Sequence, residues 1–332
     1  MNRSELRASG RTSLPSCQES RDFANQWKPI GITGKKKFSE YAIRFILCVG
    51  SAQRRVRNVR GSLAGRRVAT TTPSHYAPRL AEILRREEAD VVWCPTILTE
   101  FTDRTRANVD SGVHQIFDSG VSGIAFTSRA GITAFSVALG DRRLPENPFI
   151  IAALGRDAEC LNELKMIDPS KSTVVSPAIA TPSALVEALG EGKGRKILCP
   201  VPLVVDLEEP PVVSDFLQDL MYRGWIPVRV NAYITRWIGK DCDGVLGDGD
   251  IDALIFTSSA EVEGLIKSNW LMGNWRKREN RTFLVATHGP VTAAGAARLG
   301  IDVDVVGQRF ESFSGVVEEL ATRLGCGRSV VL

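Results

Sequence analysis

The sequence predicts an α/β protein made of two similar domains, and two observations support this fold class. First, short β-branched runs such as RRVATT alternate with amphipathic stretches such as PSHYAPRLAEILRREEA. Second, the segment GIAFTSRAGITAF, from Gly123 to Phe135, nearly recurs as ALIFTSSAEVEGLI, from Ala253 to Ile266. Apolar strands that alternate with helices indicate parallel sheets covered on both faces. We therefore expect two flavodoxin-like α/β domains with a cleft between them.

The internal repeat extends over most of the chain, in ordered blocks that lie about 130 residues apart. The further pairs are RRVATTTPSHYAPRLAEIL with RKILCPVPLVVDLEEPPVVSDFLQDL, FIIAALGRDAECLNELK with FLVATHGPVTAAGAARLG, and TPSALVEALG with ESFSGVVEELA. Each block has a strand-like run, a turn rich in Gly, Pro, Ser or Thr, and an amphipathic stretch. Ser and Thr at these turns are predicted to cap the following helices, because their side-chain oxygens accept from free backbone N–H groups.

Two extended segments are predicted to connect the domains, namely VVWCPTILTEFTD (91–103) and WIPVRVNAYITRW (225–237). Each is longer than a single α/β unit needs, and each precedes one of the FTS blocks. The chain is expected to start in one domain, to complete the second, and to return. This predicts a discontinuous first domain over 63–98 plus 234–332, a second domain over 99–233, and a two-stranded β link. Ligands commonly bind in such a cleft.

The N-terminal residues 1–62 differ in charge from the rest of the chain. They contain 13 Lys and Arg against four Asp and Glu, whereas the whole chain has a net charge of only +4. A segment rich in Arg and Ser and poor in acid is typical of an organellar transit peptide, although a disordered basic tail has the same composition. The remaining residues are slightly acidic, so we expect no nucleic-acid partner. No run of eighteen apolar residues predicts a membrane span.

Other functional classes lack their signals in this sequence. The seven cysteines form no CxxC pair, and we expect Cys94, Cys160 and Cys199 to pack as small apolar residues without disulfides. His75, His114 and His288 are scattered without metal-ligand spacing. GEGKGRK precedes a strand, where a dinucleotide-binding loop would follow one. There is no G-x-S-x-G motif of a hydrolase.

Several motifs together resemble the uroporphyrinogen-III synthase family. They are FTS in both copies, NAYITRW around Tyr233, and GPVTAAGAARLGIDVDVV from Gly289 to Val306. The resemblance covers residues 66 to 325. It implies a lyase of tetrapyrrole and porphyrin biosynthesis, and it implies no metal and no organic cofactor. Such enzymes remove water from the linear tetrapyrrole hydroxymethylbilane, invert its terminal pyrrole ring through a spiro intermediate, and close the macrocycle to uroporphyrinogen III.

The resemblance also carries expectations about partners and location. We expect a monomer that can receive hydroxymethylbilane from the preceding enzyme of the pathway. Its similarity to plant-type members favours the plastid (chloroplast) stroma for a protein of heme and chlorophyll formation. A mitochondrial or cytoplasmic location is the alternative.

The candidate binding residues lie at the strand-to-helix turns of both copies. The substrate carries eight carboxylates, and a helix N-terminus with Ser or Thr hydroxyls can bind such groups. In open α/β sheets this place is the carboxyl end of the strands. The predicted substrate-binding residues are Thr127, Ser128, Arg129, Thr257, Ser258, Ser259, Gly289, Pro290, Val291 and Thr292. By the family match, Tyr233 is the catalytic candidate, which assists departure of the hydroxyl group.

Several residues depart from the family pattern. Ala158 stands where the first domain of the family often has Thr, and Asp206, Glu208 and Glu209 add negative charge after a strand. Acidic residues that face the cleft would repel a polycarboxylate. The alternative hypothesis is therefore a catalytically impaired relative that acts as a two-lobed tetrapyrrole-binding or regulatory protein.

Overall fold

The computed structural model describes residues 62–118, 120–155, 157–239, 242, 246, 251–270 and 275–325. These residues belong to one compact unit, Val59–Leu332. The predicted transit peptide, apart from Ser62, lies outside the described residues. No helix in the described ranges is long and apolar enough to cross a membrane.

The first sheet is parallel throughout and is formed by both ends of the described chain. Its strands, numbered in chain order, are β1 (Arg67–Thr70), β2 (Asp90–Trp93), β9 (Ala253–Phe256), β10 (Leu284–Thr287) and β11 (Val305–Val306). Their order is β11-β10-β9-β1-β2. The helices of this part are α1 (Ala77–Arg86), α7 (Ser259–Lys267), α8 (Pro290–Arg298) and α9 (Ser314–Gly325), with a short 3₁₀ helix at Arg278–Asn280. We call this sheet with its helices lobe A.

The second sheet is formed by the middle of the chain. Its strands are β3 (Ile97–Glu100), β4 (Val121–Phe126), β5 (Ile150–Ala153), β6 (Val174–Val175), β7 (Lys196–Val205) and β8 (Ile226–Trp237), in the order β3-β8-β7-β4-β5-β6. Only β3 is antiparallel to its neighbour among these described strands. The helices are α2 (Asp103–Asp118), α3 (Arg129–Leu139), α4 (Asp157–Glu163), α5 (Pro182–Leu189) and α6 (Pro211–Tyr222). We call this part lobe B.

The predicted fold class is confirmed, including the two-stranded link. Residues of β3 pair antiparallel with the last residues of β8, from Ile97 opposite Trp237 to Glu100 opposite Ile234. The segment 91–103 is not one long strand, however. It divides into β2 in lobe A and β3 in lobe B, with Pro95 between them, because proline has no N–H to continue a ladder. The domain limits at 98/99 and 233/234 stay a prediction.

Apolar strands and capped helices hold each turn in place. Phe126 and Phe256, which end β4 and β9, are completely buried. The Ser128 hydroxyl then caps α3 by accepting from the N–H of Gly131 at 3.1 Å, and Ser258 caps α7 by accepting from the N–H of Glu261 at 3.4 Å. The prediction of Ser caps at the two FTS turns is therefore confirmed. Cys94, Cys160 and Cys199 are buried, as expected.

Candidate active site

A cavity of about 400 Å³ lies between the two lobes, where strands of both sheets reach their carboxyl ends. Segments that follow β1, β4, β5, β9, β10 and β11 contribute to its lining, and residues of β3, β7, β8, α5 and α6 also line it. All eleven residues singled out from the sequence line this one cavity: Thr127, Ser128, Arg129, Tyr233, Thr257, Ser258, Ser259, Gly289, Pro290, Val291 and Thr292. The repeated turns therefore face a common space.

Tyr233 enters the cavity from β8 and contacts the FTS turn of lobe B. Its hydroxyl oxygen lies 2.9 Å from Ser128 Oγ, and its residue surface is only 7% exposed. Burial raises the pKa of Tyr233 to about 12, so the phenol is neutral and protonated at physiological pH. Ser128 accepts from Gly131 at the same time. When Ser128 donates its hydrogen to the phenol oxygen, the phenol hydrogen is left for a ligand.

Arg129 follows Ser128 and forms an ion pair inside the cavity wall. Its Nε lies 3.4 Å from Asp157 Oδ1, with the two side chains 30% and 26% exposed. Burial raises the pKa of Asp157, and the positive charges of Arg129 and Arg79 oppose that rise. Arg129 is therefore a partly buried, paired guanidinium, and its planar group retains further N–H donors beyond Nε.

The equivalent turn in lobe A contains an internal carboxylate. Glu261, in the first turn of α7, is completely buried and accepts from the Thr257 N–H at 3.0 Å and from the Thr71 hydroxyl at 2.9 Å. The hydroxyls of Thr257 and Ser258 donate to the same carboxylate. Burial raises the pKa of Glu261, while the hydrogen bonds from Thr257, Thr71 and Ser258 lower it.

The GPVT turn between β10 and α8 packs closely against neighbouring segments. A Cβ atom on Gly289 would lie 2.8 Å from Cβ of Phe310, so a larger residue does not fit without a shift of that segment. Pro290 occupies the first position of α8, where its missing N–H costs nothing. The Thr292 hydroxyl donates to the Thr257 carbonyl at 3.1 Å and thereby ties this turn to the FTS turn of lobe A.

Two histidines that the sequence pattern discounted also line the cavity. The pKa of His75 is lowered to about 4, chiefly by burial and then by the nearby Arg129. The pKa of His288 is lowered to about 4 by burial as well, although a hydrogen bond with the Phe310 backbone opposes this. Both imidazoles are neutral at physiological pH. They lack metal-ligand spacing, and the described residues hold no group of three or more potential metal ligands.

The acidic insert lies outside the cavity lining. The backbone N–H of Glu208 donates to the Glu263 carboxylate at 3.0 and 3.1 Å. The Asp206 carbonyl accepts from Lys267 at 2.5 Å. Glu209 forms an ion pair with Arg229 at 2.5 Å. None of these three acidic residues of the described chain lines the cavity, so their charges do not face it directly.

Sequence reasoning missed several residues of the lining. Tyr76 and Arg79 come from the segment after β1, which carried no recognisable motif. Asp157 lies in the repeat block FIIAALGRDAECLNELK, in which only the neighbouring Ala158 is marked as a departure from the family pattern. Glu261 had a usable signal, because Ser258 and Glu261 form the S-x-x-E pattern of a capping box. The paired and buried states of these acids depend on contacts that the pattern does not contain.

The comparison with protein families gives one match. The model described as "Uroporphyrinogen-III synthase HemD" matches residues 78–316. The chain belongs to this family. A comparison with curated protein sequences returned no match.

Solved structures of the family share the fold. A mutant uroporphyrinogen III synthase from the bacterium Thermus thermophilus is 18% identical and aligns with 80% of this chain and 100% of its own, with a TM-score of 0.53. The wild-type protein from the same organism is 19% identical over 79% of this chain and 99% of its own, with a TM-score of 0.43. The first of these likenesses shows that the chain shares the fold of this synthase.

Proposed function

We propose that this protein is a uroporphyrinogen-III synthase, which cyclises hydroxymethylbilane to uroporphyrinogen III with inversion of the terminal pyrrole ring and loss of water. The observation that carries the proposal is that, in a chain of this family, the two repeated turns face one cavity. The cavity reaches the carboxyl ends of both sheets, which is where α/β proteins bind their ligands.

The chemistry needs few strong catalytic groups. The electron-rich pyrrole that bears the hydroxymethyl group expels the hydroxyl, which takes up a proton as the carbon–oxygen bond breaks and leaves as water. The terminal pyrrole at the other end of the chain then bonds to the freed carbon and loses one proton, which balances the step. We assign the supporting hydrogen bond to the neutral phenol of Tyr233, with Ser128 as its partner at 2.9 Å. The main task of the remaining residues is to hold the flexible chain so that ring inversion and closure occur before the uninverted closure.

Binding of the carboxylates is assigned first to Arg129. A guanidinium can bind a carboxylate with two parallel N–H bonds, and Arg129 lies at the N-terminus of α3, where the helix dipole also favours an anion. Asp157 keeps the guanidinium in the cavity wall when no ligand is bound. The other turn residues fit the same substrate through backbone N–H groups and hydroxyl oxygens.

A coupled assay tests the proposal. The preceding enzyme generates hydroxymethylbilane, and chromatography separates the type I and type III isomers after oxidation. We expect type III product at a rate that depends on this protein. Type I product alone, at the spontaneous rate, would reject the synthase activity. Binding of the tetrapyrrole without turnover would instead favour the binding or regulatory alternative.

The location and assembly of the protein belong to the same proposal. Residues 1–62, with their excess of Lys and Arg, are proposed to direct import into plastids. A fluorescent reporter fused to these residues should enter plastids, whereas mitochondrial or cytosolic fluorescence would contradict this. We further propose that the enzyme is monomeric and receives hydroxymethylbilane from the preceding enzyme. Light scattering, alone and with that enzyme present, tests both points.

A further inference from the structure

The two FTS turns differ at a buried position that changes the direction of their hydrogen bonds. In lobe A the third residue after the capping Ser258 is Glu261, and in lobe B the third residue after Ser128 is Gly131. Each turn caps a helix through its serine hydroxyl, and the residue after that serine differs as well, being Ser259 in lobe A and Arg129 in lobe B. Lobe A therefore carries a buried carboxylate where lobe B has no side chain.

Four donors surround the carboxylate of Glu261. The hydroxyls of Thr71, Thr257 and Ser258 and the backbone N–H of Thr257 all donate to it. A carboxylate has about four acceptor positions, and these four donors fill them. The Thr257 N–H and the hydroxyl hydrogens of Thr257 and Ser258 are therefore directed into the protein.

Two other hydroxyls near the lobe A turn also direct their hydrogens toward protein acceptors. Thr292 donates its hydrogen to the Thr257 carbonyl at 3.1 Å. Thr72 lies 3.0 Å from the Thr257 hydroxyl and must donate to it, because the Thr257 hydrogen is already given to Glu261. The hydroxyl oxygens of Thr257, Ser258 and Thr292 consequently offer only lone pairs to the cavity that they line. These three hydroxyls therefore accept hydrogen bonds from a ligand and do not donate to an anion.

Lobe B has the opposite character. Its rim contains the Arg129 guanidinium, and the carboxylate that lies there, Asp157, is paired with Arg129. Tyr233 and Ser128 share their hydrogens at 2.9 Å, so this rim keeps a hydroxyl donor. The substrate of the proposed reaction has two kinds of polar group, which are carboxylates that accept and pyrrole N–H groups that donate.

We propose that Glu261 is a positioning residue that makes the lobe A rim an acceptor surface for pyrrole N–H groups. The substrate carboxylates that lie near the FTS turns then bind to the turn of lobe B. This inference rests on the proposed function and corrects the symmetrical view in which both FTS turns bind carboxylates. Glu261 is completely buried and acts through Thr257 and Ser258.

The substitution Glu261→Gln tests the inference, because the new side-chain amide donates where the carboxylate accepts. The hydroxyls are then expected to accept from that amide and to direct their hydrogens into the cavity. We use benzenehexacarboxylate, which has six carboxylates and no N–H group, as a binding probe in calorimetry. The expected result for E261Q is about fivefold tighter binding of this probe and about a fivefold higher KM for hydroxymethylbilane.

Reoriented hydroxyls strengthen binding of the probe and weaken binding of hydroxymethylbilane. A general disruption of the site would instead weaken the binding of both compounds. Glu82→Gln, which removes an exposed carboxylate from α1, is the matched control and should change neither constant. Weaker or unchanged binding of the probe to folded E261Q would overturn the inference. If the wild type makes only type I product, the proposed function fails, while the calorimetry still decides the polarity of the rim.

A second variant covers the case in which E261Q does not fold. Thr257→Val removes one acceptor oxygen and leaves Glu261 in place. It should raise the KM for hydroxymethylbilane but leave benzenehexacarboxylate binding within about twofold, and Thr257→Ser should restore the KM. A clear loss of probe affinity in Thr257→Val would show that this hydroxyl donates to carboxylates, which contradicts the inference.

Discussion

The hydroxyl of Tyr233 lies 2.9 Å from the hydroxyl of Ser128, although 105 residues separate them in the chain. The contact joins strand β8 to the N-terminus of α3 and places a neutral phenol at the wall of the cavity. Because the pKa of Tyr233 is raised to about 12 by burial, the phenol stays a hydrogen-bond donor over the physiological pH range.

Replacement of Tyr233 by Phe should lower kcat for hydroxymethylbilane by about tenfold or more, because the departing hydroxyl loses its donor. The fold should persist, with a loss of about 1 kcal/mol in the free energy of unfolding. Steady-state kinetics and urea denaturation measure these effects. Tyr222→Phe, which alters a 77% exposed tyrosine on α6, is the control. An unchanged kcat in Tyr233→Phe would remove this residue from its catalytic role.

Arg129→Gln should raise the KM for hydroxymethylbilane by about tenfold, since a charge-assisted hydrogen bond to a carboxylate contributes about 1.5–3 kcal/mol. Arg129→Lys should recover only part of this loss, because an ammonium does not bind a carboxylate in two parallel bonds. Arg142→Gln removes an exposed cation that packs over Phe117 and serves as the control. Equal KM values for Arg129→Gln and Arg142→Gln would argue against a carboxylate site at Arg129.

The contribution of His75 and His288 to stability should fall as the pH is lowered from 6.5 toward 4. His75 and His288 have folded-state pKa values of about 4, against 6.5 for an ordinary histidine. In this window the unfolded chain binds protons that the folded chain does not, so the free energy of unfolding decreases with falling pH. The double variant His75→Gln, His288→Gln should show a shallower decrease in urea denaturation. Equal slopes in the wild type and the double variant would refute the prediction.

Glu209→Gln should leave the KM for hydroxymethylbilane within about twofold of the wild type. The residue forms a surface ion pair with Arg229 and lies outside the cavity lining, and such pairs contribute about 0–1 kcal/mol to stability. Steady-state kinetics over a range of ionic strength is the measurement. A markedly lower KM for Glu209→Gln would mean that this carboxylate repels the substrate, as the sequence had left open.

Gly289→Ala should destabilise the protein by about 1–3 kcal/mol, because its new Cβ atom would overlap the side chain of Phe310. Removal of the Phe310 Cβ atom should relieve the overlap, so the double variant Gly289→Ala, Phe310→Gly should lose less stability than the two single losses add up to. Thermal or urea denaturation of the four proteins completes the cycle. Strict additivity would indicate that the two residues do not interact.

The repeat predicted the fold because each copy encodes its strand and its helix cap in a few adjacent residues. The FTS segments combine a buried apolar strand with a serine cap, and both properties depend on a few adjacent residues such as Phe126 with Ser128. The long segment 91–103 was less well predicted. Its apolar residues suit a strand on either side of Pro95, and only the pairing of β3 with β8 assigns its second half to lobe B.

The candidate site also has features that the sequence predicted and features that it did not. The turns that line the cavity were predicted, because they follow the ends of strands and parallel strands of one sheet end on the same side. The partners within the cavity were not. Arg129 with Asp157, and Thr72 with Thr257, are contacts between separate elements, and the sequence contains no periodicity that marks them.

The sequence by itself therefore determined the two α/β lobes, the link between them, and the turns where a ligand can bind, because hydrophobic periodicity and helix capping act over short distances along the chain. The tertiary structure alone decided which charges and hydroxyls face one another across the cavity. Glu261 is an example, since its carboxylate accepts hydrogen bonds from Thr71, which is distant in the chain, as well as from its own turn. Hydrogen-bond polarity and pKa depend on the distances between groups in space, and only the packed chain defines those distances.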